Sequence, residues 1–502
     1  MQNSIQDEQN INDKKHTSYK MGSMPIPKLL LVMSLPAMLS MLVQALYNIM
    51  DTVYVGMFYS GLGDTEYIAA TQALSVAFPI QLIITAVGLG IGIGANAIIS
   101  KKLGEGNRPD ASKAANTAIL MAFAALIIMS VIGIFATKPF FEIVADASGE
   151  GGLVIQYGVD YLFVVTVFSA GMILELTGSR ILQATGNMKI PMIAQMVGAV
   201  INIALDPLFL FGFQLGVRGA AIATVISQFC SAGITYTVIL FIQKEVKISI
   251  FKNKYSVRDI LNNMNVGIPA FFLNAVGALT YISLLRIIKG YALGGIVQQV
   301  LGLYFKLNSL IFMPIFGLMQ GLLPILGYSY GAQNKERYKA ALKLSTMLSL
   351  GILLIGLLLF ETAPELLLSL FSAGSSTLEI GRSAMRIIAI SFPFAAIGIN
   401  LINAYQSLQC GVRSLIMSLF RQLGIIVPFA AIFANFGAWG IWASYPVSEF
   451  LTTLIFFPQI FYVINKKFKQ DGEKHNANLP NSSEPLDSEI SAIAPTVEAE
   501  QY

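Results

Sequence analysis

The chain has 502 residues and a formal net charge of +4, and 55% of its residues are hydrophobic while only 12% are charged. Soluble globular proteins carry about 25% charged residues, so this chain lacks the polar side chains to cover a soluble surface. The composition predicts an integral membrane protein and excludes a collagen, a disulfide-rich secreted domain and a nucleic-acid-binding protein.

Twelve apolar segments follow one another along the chain, each near the ~20 residues that a helix needs to cross a bilayer. They predict an all-α integral membrane protein with twelve transmembrane helices. The polar first 27 residues are predicted to hold no cleavable signal peptide. The segments cover residues 28–55, 68–100, 114–136, 158–182, 190–212, 218–243, 261–285, 295–330, 341–360, 380–409, 415–434 and 437–464.

Positive charge indicates how these helices are oriented, because cytoplasmic connections are enriched in Lys and Arg. Most of the 32 Lys and Arg residues fall on the side that holds the N-terminus, and Arg180 is counted there, in the connection after the fourth span. Both termini are therefore predicted to be cytoplasmic, in a multi-pass protein of the cell inner membrane. The expected cytoplasmic tails are residues 1–27 and a disordered segment over 466–502.

The chain repeats itself once. Gly90-x3-Gly94 near the end of the second span recurs as Gly317-x3-Gly321 near the end of the eighth. Each repeat has an even number of spans, so both start on the same side of the membrane, and the repeats are related by an axis along the membrane normal.

The repeat predicts two pseudo-twofold-related six-helix bundles, an N-lobe over 28–250 and a C-lobe over 251–465. Two such lobes leave a central cleft between them, where secondary transporters commonly bind substrate and alternate access. A transporter is favoured over the alternative, a two-lobed structural scaffold.

Five polar residues on three helices of the N-lobe are predicted to share one layer of the membrane. With a rise of about 1.5 Å per residue, Asp51, Asp206 and Thr224 lie about 6–9 Å below the outer surface, and Tyr47 and Asn202 lie one turn deeper. Two neighbouring carboxylates in a low dielectric must share a proton or hold a cation between them. The alternative is that Asp51 only caps its helix and that the backbone break before Pro207 holds Asp206.

Glu175 and Lys306 also lie within the spans, where ionisable groups are costly. They are interpreted as a cross-lobe pair, a substrate contact, or separate residues satisfied by the local backbone. Together with the polar residue Gln44 they are assigned to substrate binding or gating. The two histidines lie in the polar tails, so a histidine-based metal site within the membrane is excluded. The pattern G-x-S-x-G at 327–331 ends a membrane helix and has no histidine partner, so it does not indicate an enzyme.

Four stretches together resemble the multidrug and toxic compound extrusion (MATE) family, in this order and over about residues 25–465. They are Tyr47-Asn-Ile-Met-Asp51-Thr-Val-Tyr-Val-Gly56, Arg180-Ile-Leu-Gln183-Ala-Thr-Gly186-Asn187, Asn202-Ile-Ala-Leu-Asp206-Pro207 and Gly219-Ala-Ala-Ile-Ala-Thr224.

The resemblance implies a cation-coupled drug antiporter with two six-helix bundles. It also implies that the coupling and substrate residues of family members with an N-lobe site correspond to Tyr47, Asp51, Asn202, Asp206 and Thr224. Other members carry acids on spans 7 and 10. Here the aligned position on span 7 is Gly277, and span 10 has no acid between Ala384 and Gln409, so a second cation site is not expected in the C-lobe.

These observations predict a secondary antiporter that exports drugs or toxic organic cations from the cytoplasm or inner leaflet by alternating access. The coupling ion is a proton or sodium, with sodium possible at Asp51 and Asp206, and no cofactor or nucleic-acid partner is expected. The protein is predicted to be a monomer in the lipid bilayer. A lipid-linked saccharide flippase of the same superfamily is the alternative, and a membrane-embedded enzyme is a further alternative from another class.

Overall fold

A computed structural model describes residues 21–61, 63–146, 151–249, 256–288, 294–369 and 375–477. These residues form helices and connections, without a β-strand in the part described. The first six spans are α1 Ile26–Ser60, α2 Asp64–Gly104, α3 Arg108–Asp146, α4a Gly151–Val167 with α4b Ala170–Ala184, α5 Lys189–Pro207 and α6 Val217–Thr237. The last six are α7 Val257–Ile288, α8 Gly294–Gly331, α9 Lys335–Thr362, α10a Ser375–Ala389 with α10b Phe392–Ser407, α11 Gly411–Leu419 and α12 Ala438–Ala477.

Short π-helices extend three of these spans. Leu208–Gly212 follows α5 and Val238–Ile242 follows α6, while Phe420–Ile426 joins α11 to a last helical segment, Val427–Phe433. A six-residue helix, Pro364–Ser369, follows α9.

Ten helices of the described chain are long and apolar enough to cross a membrane, or twelve if each of two bent pairs is one span. The all-helical fold is thereby confirmed. The bends, 45° in α4 and 52° in α10, were not expected from the sequence. The hydroxyl of Ser130 donates to the carbonyl of Val167 at 2.7 Å, so the break in α4 leaves that carbonyl satisfied. Pro393 stands at the start of α10b, where its missing N–H costs least.

The alternate glycines of α2 serve two interfaces. Successive helical residues are 100° apart, so residues two apart face nearly opposite sides of the helix. On one side, a Cβ at Gly92 would lie 2.7 Å from Cγ of Arg180 on α4b. On the other side, a Cβ at Gly90 would lie 2.8 Å from the carbonyl oxygen of Gly267 on α7. The glycines therefore let α2 pack against its own lobe and against the other lobe at once.

The two lobes meet closely at the end of the bundle where α1 begins and α12 ends, here called the terminal end. Gly104 at the end of α2 packs on the carbonyl of Tyr328, and Gly331 at the end of α8 packs on the carbonyl of Lys101. A side chain at either glycine would overlap these carbonyls. The ends of α2 and α8 therefore seal the terminal end by backbone contact.

The prediction of a disordered tail from residue 466 is wrong as far as Ala477, where α12 ends. The Phe468 ring packs edge-on against Tyr330 at 5.3 Å and Tyr338 at 5.5 Å. Asp471 lies 2.6 Å from the ammonium of Lys101 and accepts a 2.6 Å hydrogen bond from the Tyr330 hydroxyl. These contacts hold the polar end of α12 as a helix across both lobes.

The predicted N-terminal tail, residues 1–27, is also ordered at its end. Met21 is fully buried, and Arg337 on α9 donates to the carbonyl oxygens of Met21 at 2.8 Å and Met24 at 2.7 Å. The guanidinium thus holds the chain that leads into α1, while residues 1–20 lie outside the described part.

Candidate functional site

The N-lobe contains a buried polar group on α5 and α6. Asp206 is fully buried and Asn202, one turn earlier on α5, is 1% exposed. The amide of Asn202 donates to Oδ1 of Asp206 at 3.2 Å and lies 3.5 Å from the hydroxyl of Thr224 on α6. The structure therefore brings together three of the five residues that the depth argument placed in one layer.

Local packing explains why these three side chains meet. Gly198, one turn before Asn202, gives room to Ser231 of α6, whose hydroxyl donates to the carbonyl of Ala194 at 2.8 Å. The close approach of α5 and α6 brings Thr224 to Asn202. Pro207 ends α5 directly after Asp206 and is followed by a π-helix, an irregularity that is frequent at functional sites.

The remaining members of the predicted cluster lie on α1, which packs along α5. The side chains of Tyr47 and Asp51 lie outside the described part of the structure, although both residues belong to α1. Gln44, on the same helix, is half-buried. The assignment of Tyr47, Asp51, Asn202, Asp206 and Thr224 to a coupling-ion site stays a prediction.

Glu175 lies inside the N-lobe and is 8% exposed. Its carboxylate accepts a 2.8 Å hydrogen bond from Ser179 and a 3.4 Å one from Gln195 on α5. Lys306 belongs to α8, but its side chain lies outside the described part. The roles of Gln44, Glu175 and Lys306 in substrate binding or gating stay predictions.

A polar chain that the sequence analysis missed crosses from one lobe to the other. Arg180 lies within α4b rather than in the following connection, and its guanidinium donates to Gln183 at 3.1 Å. Gln183 in turn donates to Gln320 of α8 at 3.1 Å, and the Gln320 amide lies 3.0 Å from Sδ of Met41 on α1. Gln183 corresponds to Gln409 in the second repeat. The spacing of residues in the sequence does not indicate that Gln183 contacts Gln320 of the other lobe.

The C-lobe holds its own ion pair, whose two side chains are largely buried. Nη1 of Arg421, in the π-helix of the eleventh span, lies 3.4 Å from Oε1 of Glu449 on α12. Gly398 of α10b faces both groups, since a Cβ there would lie 3.6 Å from Oε2 of Glu449. The hydroxyl of Tyr445 is buried and has no hydrogen-bond partner among the described residues.

Replacing Glu449 by leucine should destabilise the protein by about 3–5 kcal/mol, because it leaves the Arg421 charge buried without a partner. The double variant Arg421→Met/Glu449→Leu should recover most of that loss, since an apolar pair of similar volume needs no compensating charge. Thermal unfolding of the purified protein in detergent measures both. A double variant as unstable as the single one would contradict this account.

Solved structures support the fold. Because their sequences are less than 25% identical to this chain, they show the fold alone. A structure described as the outward-facing conformation of a multidrug resistance MATE family transporter of the MOP superfamily has a TM-score of 0.82 and 23% identity, over 90% of this chain and 98% of that one. A MOP superfamily transporter from Pyrococcus furiosus has a TM-score of 0.81 and 22% identity, with the same coverage.

Two characterised proteins are similar over most of the chain. One is the multidrug export protein MepA of Staphylococcus aureus, 27% identical over 445 residues, which are 88% of this chain and 95% of MepA. The other is an FAD transporter of Shewanella oneidensis, 26% identical over 438 residues, which are 86% of this chain and 93% of that protein.

Fold and relatives together define the class: this is a multi-pass helical membrane transporter, not an enzyme. The MatE family model matches residues 36–208 and 269–432, one stretch in each repeat and most of the chain. The protein belongs to the MatE family, so the resemblance seen in the sequence is confirmed. The flippase alternative is not favoured by these relatives.

Proposed function

We propose that the protein exports amphipathic, often cationic, organic compounds by antiport with an inward-flowing proton or sodium ion. The observation that carries the proposal is the buried carboxylate of Asp206, hydrogen-bonded to Asn202 beside the hydroxyl of Thr224. An ionised carboxylate at this depth is costly without a proton or cation. The similarity to a multidrug export protein supports the substrate class.

Coupling requires that ion and drug prefer opposite conformations of the lobes. In the proposed cycle the ion reaches the Asp51–Asp206 cluster from the outer side, neutralises it and favours release of the drug outward. The drug then enters the cleft when the terminal end opens. The distribution of Lys and Arg supports an inner-membrane protein whose terminal end faces the cytoplasm.

The closed terminal end has a built-in cost that supports alternating access. Asn263 of α7 is 2% exposed, and both polar atoms of its amide lack a hydrogen-bond partner among the described residues. A Cβ at Gly94 would lie 2.6 Å from the Asn263 carbonyl oxygen, so this amide sits at the closed contact between α2 and α7. An unsatisfied buried polar group destabilises a structure by about 1–3 kcal/mol. Opening of the terminal end would let water hydrogen-bond to the Asn263 amide and remove this destabilisation.

The polar chain between the lobes offers mostly neutral side chains to an organic compound. Gln183, Gln320 and Met41 carry no charge, and methionine adapts to varied apolar shapes. Arg180, the cation of this chain, already donates to Gln183 at 3.1 Å. FAD, named for one relative, bears phosphates that would compete for this guanidinium. A competition assay with FAD therefore belongs in the same experiment.

Proteoliposomes with a pH gradient and a sodium gradient imposed separately test the proposal. We expect one gradient to drive a fluorescent organic cation against its concentration gradient, with no inhibition by FAD. Equal movement of the cation with and without both gradients would contradict coupling. Protein-free liposomes under the same gradients are the control.

A further inference from the structure

A cavity of about 350 Å³ opens at the terminal end of the C-lobe and plays no part in the proposed transport cycle. Its volume falls in the range of about 300–1,000 Å³ that small-molecule sites occupy. The walls come from Asn265 of α7, the connection between α10b and α11, and the last turns of α12.

Three cations line this cavity, and its described lining contains no carboxylate. They are Arg413 on α11 and Lys466 and Lys467 on α12. Within the described chain, none of the three has a carboxylate at ion-pair distance. Asp471, one turn beyond Lys467, interacts electrostatically with Lys467 and Cys410, but its carboxylate is held by Lys101 at 2.6 Å. The three cations of the lining outweigh this carboxylate, so the cavity keeps a net positive potential.

Backbone donors at the start of α11 add to that potential. The N–H groups of Arg413 and Ser414 donate to the carbonyl of Cys410, but those of Gly411 and Val412, which also line the cavity, donate to no group in the described structure. The Cys410 side chain does not cap the helix. Free N–H groups at a helix N-terminus attract anions.

The rim of the cavity continues into the apolar surface of the spans. Val412 is 53% exposed, and Ile416, one turn further along α11, is 52% exposed. The ammonium of Lys466 lies 5.9 Å from the ring centroid of Tyr462, an exposed residue one turn earlier on α12. A soluble anion would use only the cations, whereas a phospholipid would use both the cations and this apolar surface.

We propose that the cavity binds the phosphate headgroup of an anionic phospholipid, with its acyl chains along Val412, Ile416 and Tyr462. Basic pockets between helices at the cytoplasmic side recognise such headgroups. The site follows from the residues of the cavity, and only the assignment to the inner leaflet rests on the orientation proposed above. The bound lipid bridges α7, α11 and α12 at the end where the lobes close.

Lipid retention by the full-length protein in neutral detergent micelles tests the site. Native mass spectrometry should show phosphatidylglycerol retained in preference to phosphatidylcholine with the same acyl chains. The variant Lys466→Gln/Lys467→Gln should weaken phosphatidylglycerol binding about 30-fold. The matched control Lys339→Gln/Lys469→Gln removes two exposed cations outside the cavity and should bind like the unchanged protein.

The two cysteines of the chain, Cys230 and Cys410, locate the bound lipid, since only Cys410 lines the cavity. Burial raises the pKa of the Cys410 thiol, and Lys467 and Arg413 oppose the rise. Because substitution of Lys467 changes the reactivity of this thiol, the alkylation rate of each variant is compared with and without lipid. Phosphatidylglycerol should slow alkylation of Cys410 several-fold and leave Cys230 unchanged.

Inorganic phosphate, added alone at millimolar concentration, separates the two sources of the anion. The lipid proposal predicts little protection of Cys410 by inorganic phosphate. Protection equal to that by phosphatidylglycerol would overturn the lipid assignment. Equal retention of the two lipids, or the same loss of binding in both double variants, would overturn the site.

Discussion

Asp206→Asn should reduce drug efflux from intact cells to the level of cells that lack the protein. Asparagine has nearly the same shape and still accepts the hydrogen bond that Asn202 donates at 3.2 Å, so α5 and α6 should keep their packing. The substitution removes the charge that is proposed to hold the coupling ion. Accumulation of a fluorescent organic cation measures efflux, and immunoblotting of membranes measures insertion.

The matched control is Asp160→Asn, the same change at another acid of the first six spans. Asp160 pairs with Arg218 at 2.8 Å, but the two side chains are 25% and 61% exposed, and such surface pairs contribute about 0–1 kcal/mol. Efflux should stay close to that of the unchanged protein. Asp51→Asn should behave like Asp206→Asn. Full efflux by either cluster variant, with normal insertion, would refute the coupling role of the cluster.

Gly331→Ala should slow transport about 5- to 150-fold by preventing the terminal end from closing. The added Cβ would overlap the carbonyl oxygen of Lys101, and overpacking of this kind costs about 1–3 kcal/mol. A destabilisation of this size lowers the population of the closed state about 5- to 150-fold. Transport rates in proteoliposomes measure the effect. The helices themselves should still form, because alanine favours a helix more than glycine does.

Gly351→Ala is the matched control, since a Cβ at Gly351 on α9 would meet nothing within 4 Å. Closure can be followed directly in a background without native cysteines. In this background a short cross-linker should join Lys101→Cys to Asp471→Cys. The yield of cross-linked protein should be much lower when Gly331→Ala is added. Unimpaired transport and cross-linking in Gly331→Ala would show that this contact does not limit closure.

The spans, their number and the repeat could be predicted because hydrophobicity and motif spacing are local properties of the chain. The bend in α4 could not, because it depends on which distant group satisfies the freed backbone carbonyl, whereas Pro393 marks the start of α10b in the sequence itself. In α4 the donor is Ser130 of α3, 37 residues before its acceptor, Val167. Residues 158–182 form one continuous apolar segment in the sequence, so the segment count carries no signal for the break in α4.

The candidate site was foreseen in part for a similar reason. The pairing of Asn202 with Asp206 follows from a spacing of one helical turn, and depth counting brought Thr224 to the same layer. The cross-lobe contact of Gln183 with Gln320 joins residues 137 positions apart, and no periodicity relates them. The count of positive charges also misplaced Arg180, because a charge near a helix end was taken for a charge in a connection.

By itself the sequence determined that this is a twelve-span membrane protein of two related halves, with a carboxylate-bearing polar layer in the first half. Composition, helical period and motif order act locally, so they survive without knowledge of the fold. Tertiary structure alone decided where the halves touch. Asp471 was read as part of a disordered tail, yet it reaches Lys101, 370 positions earlier, because Phe468 packs between Tyr330 and Tyr338 and keeps α12 helical to that point.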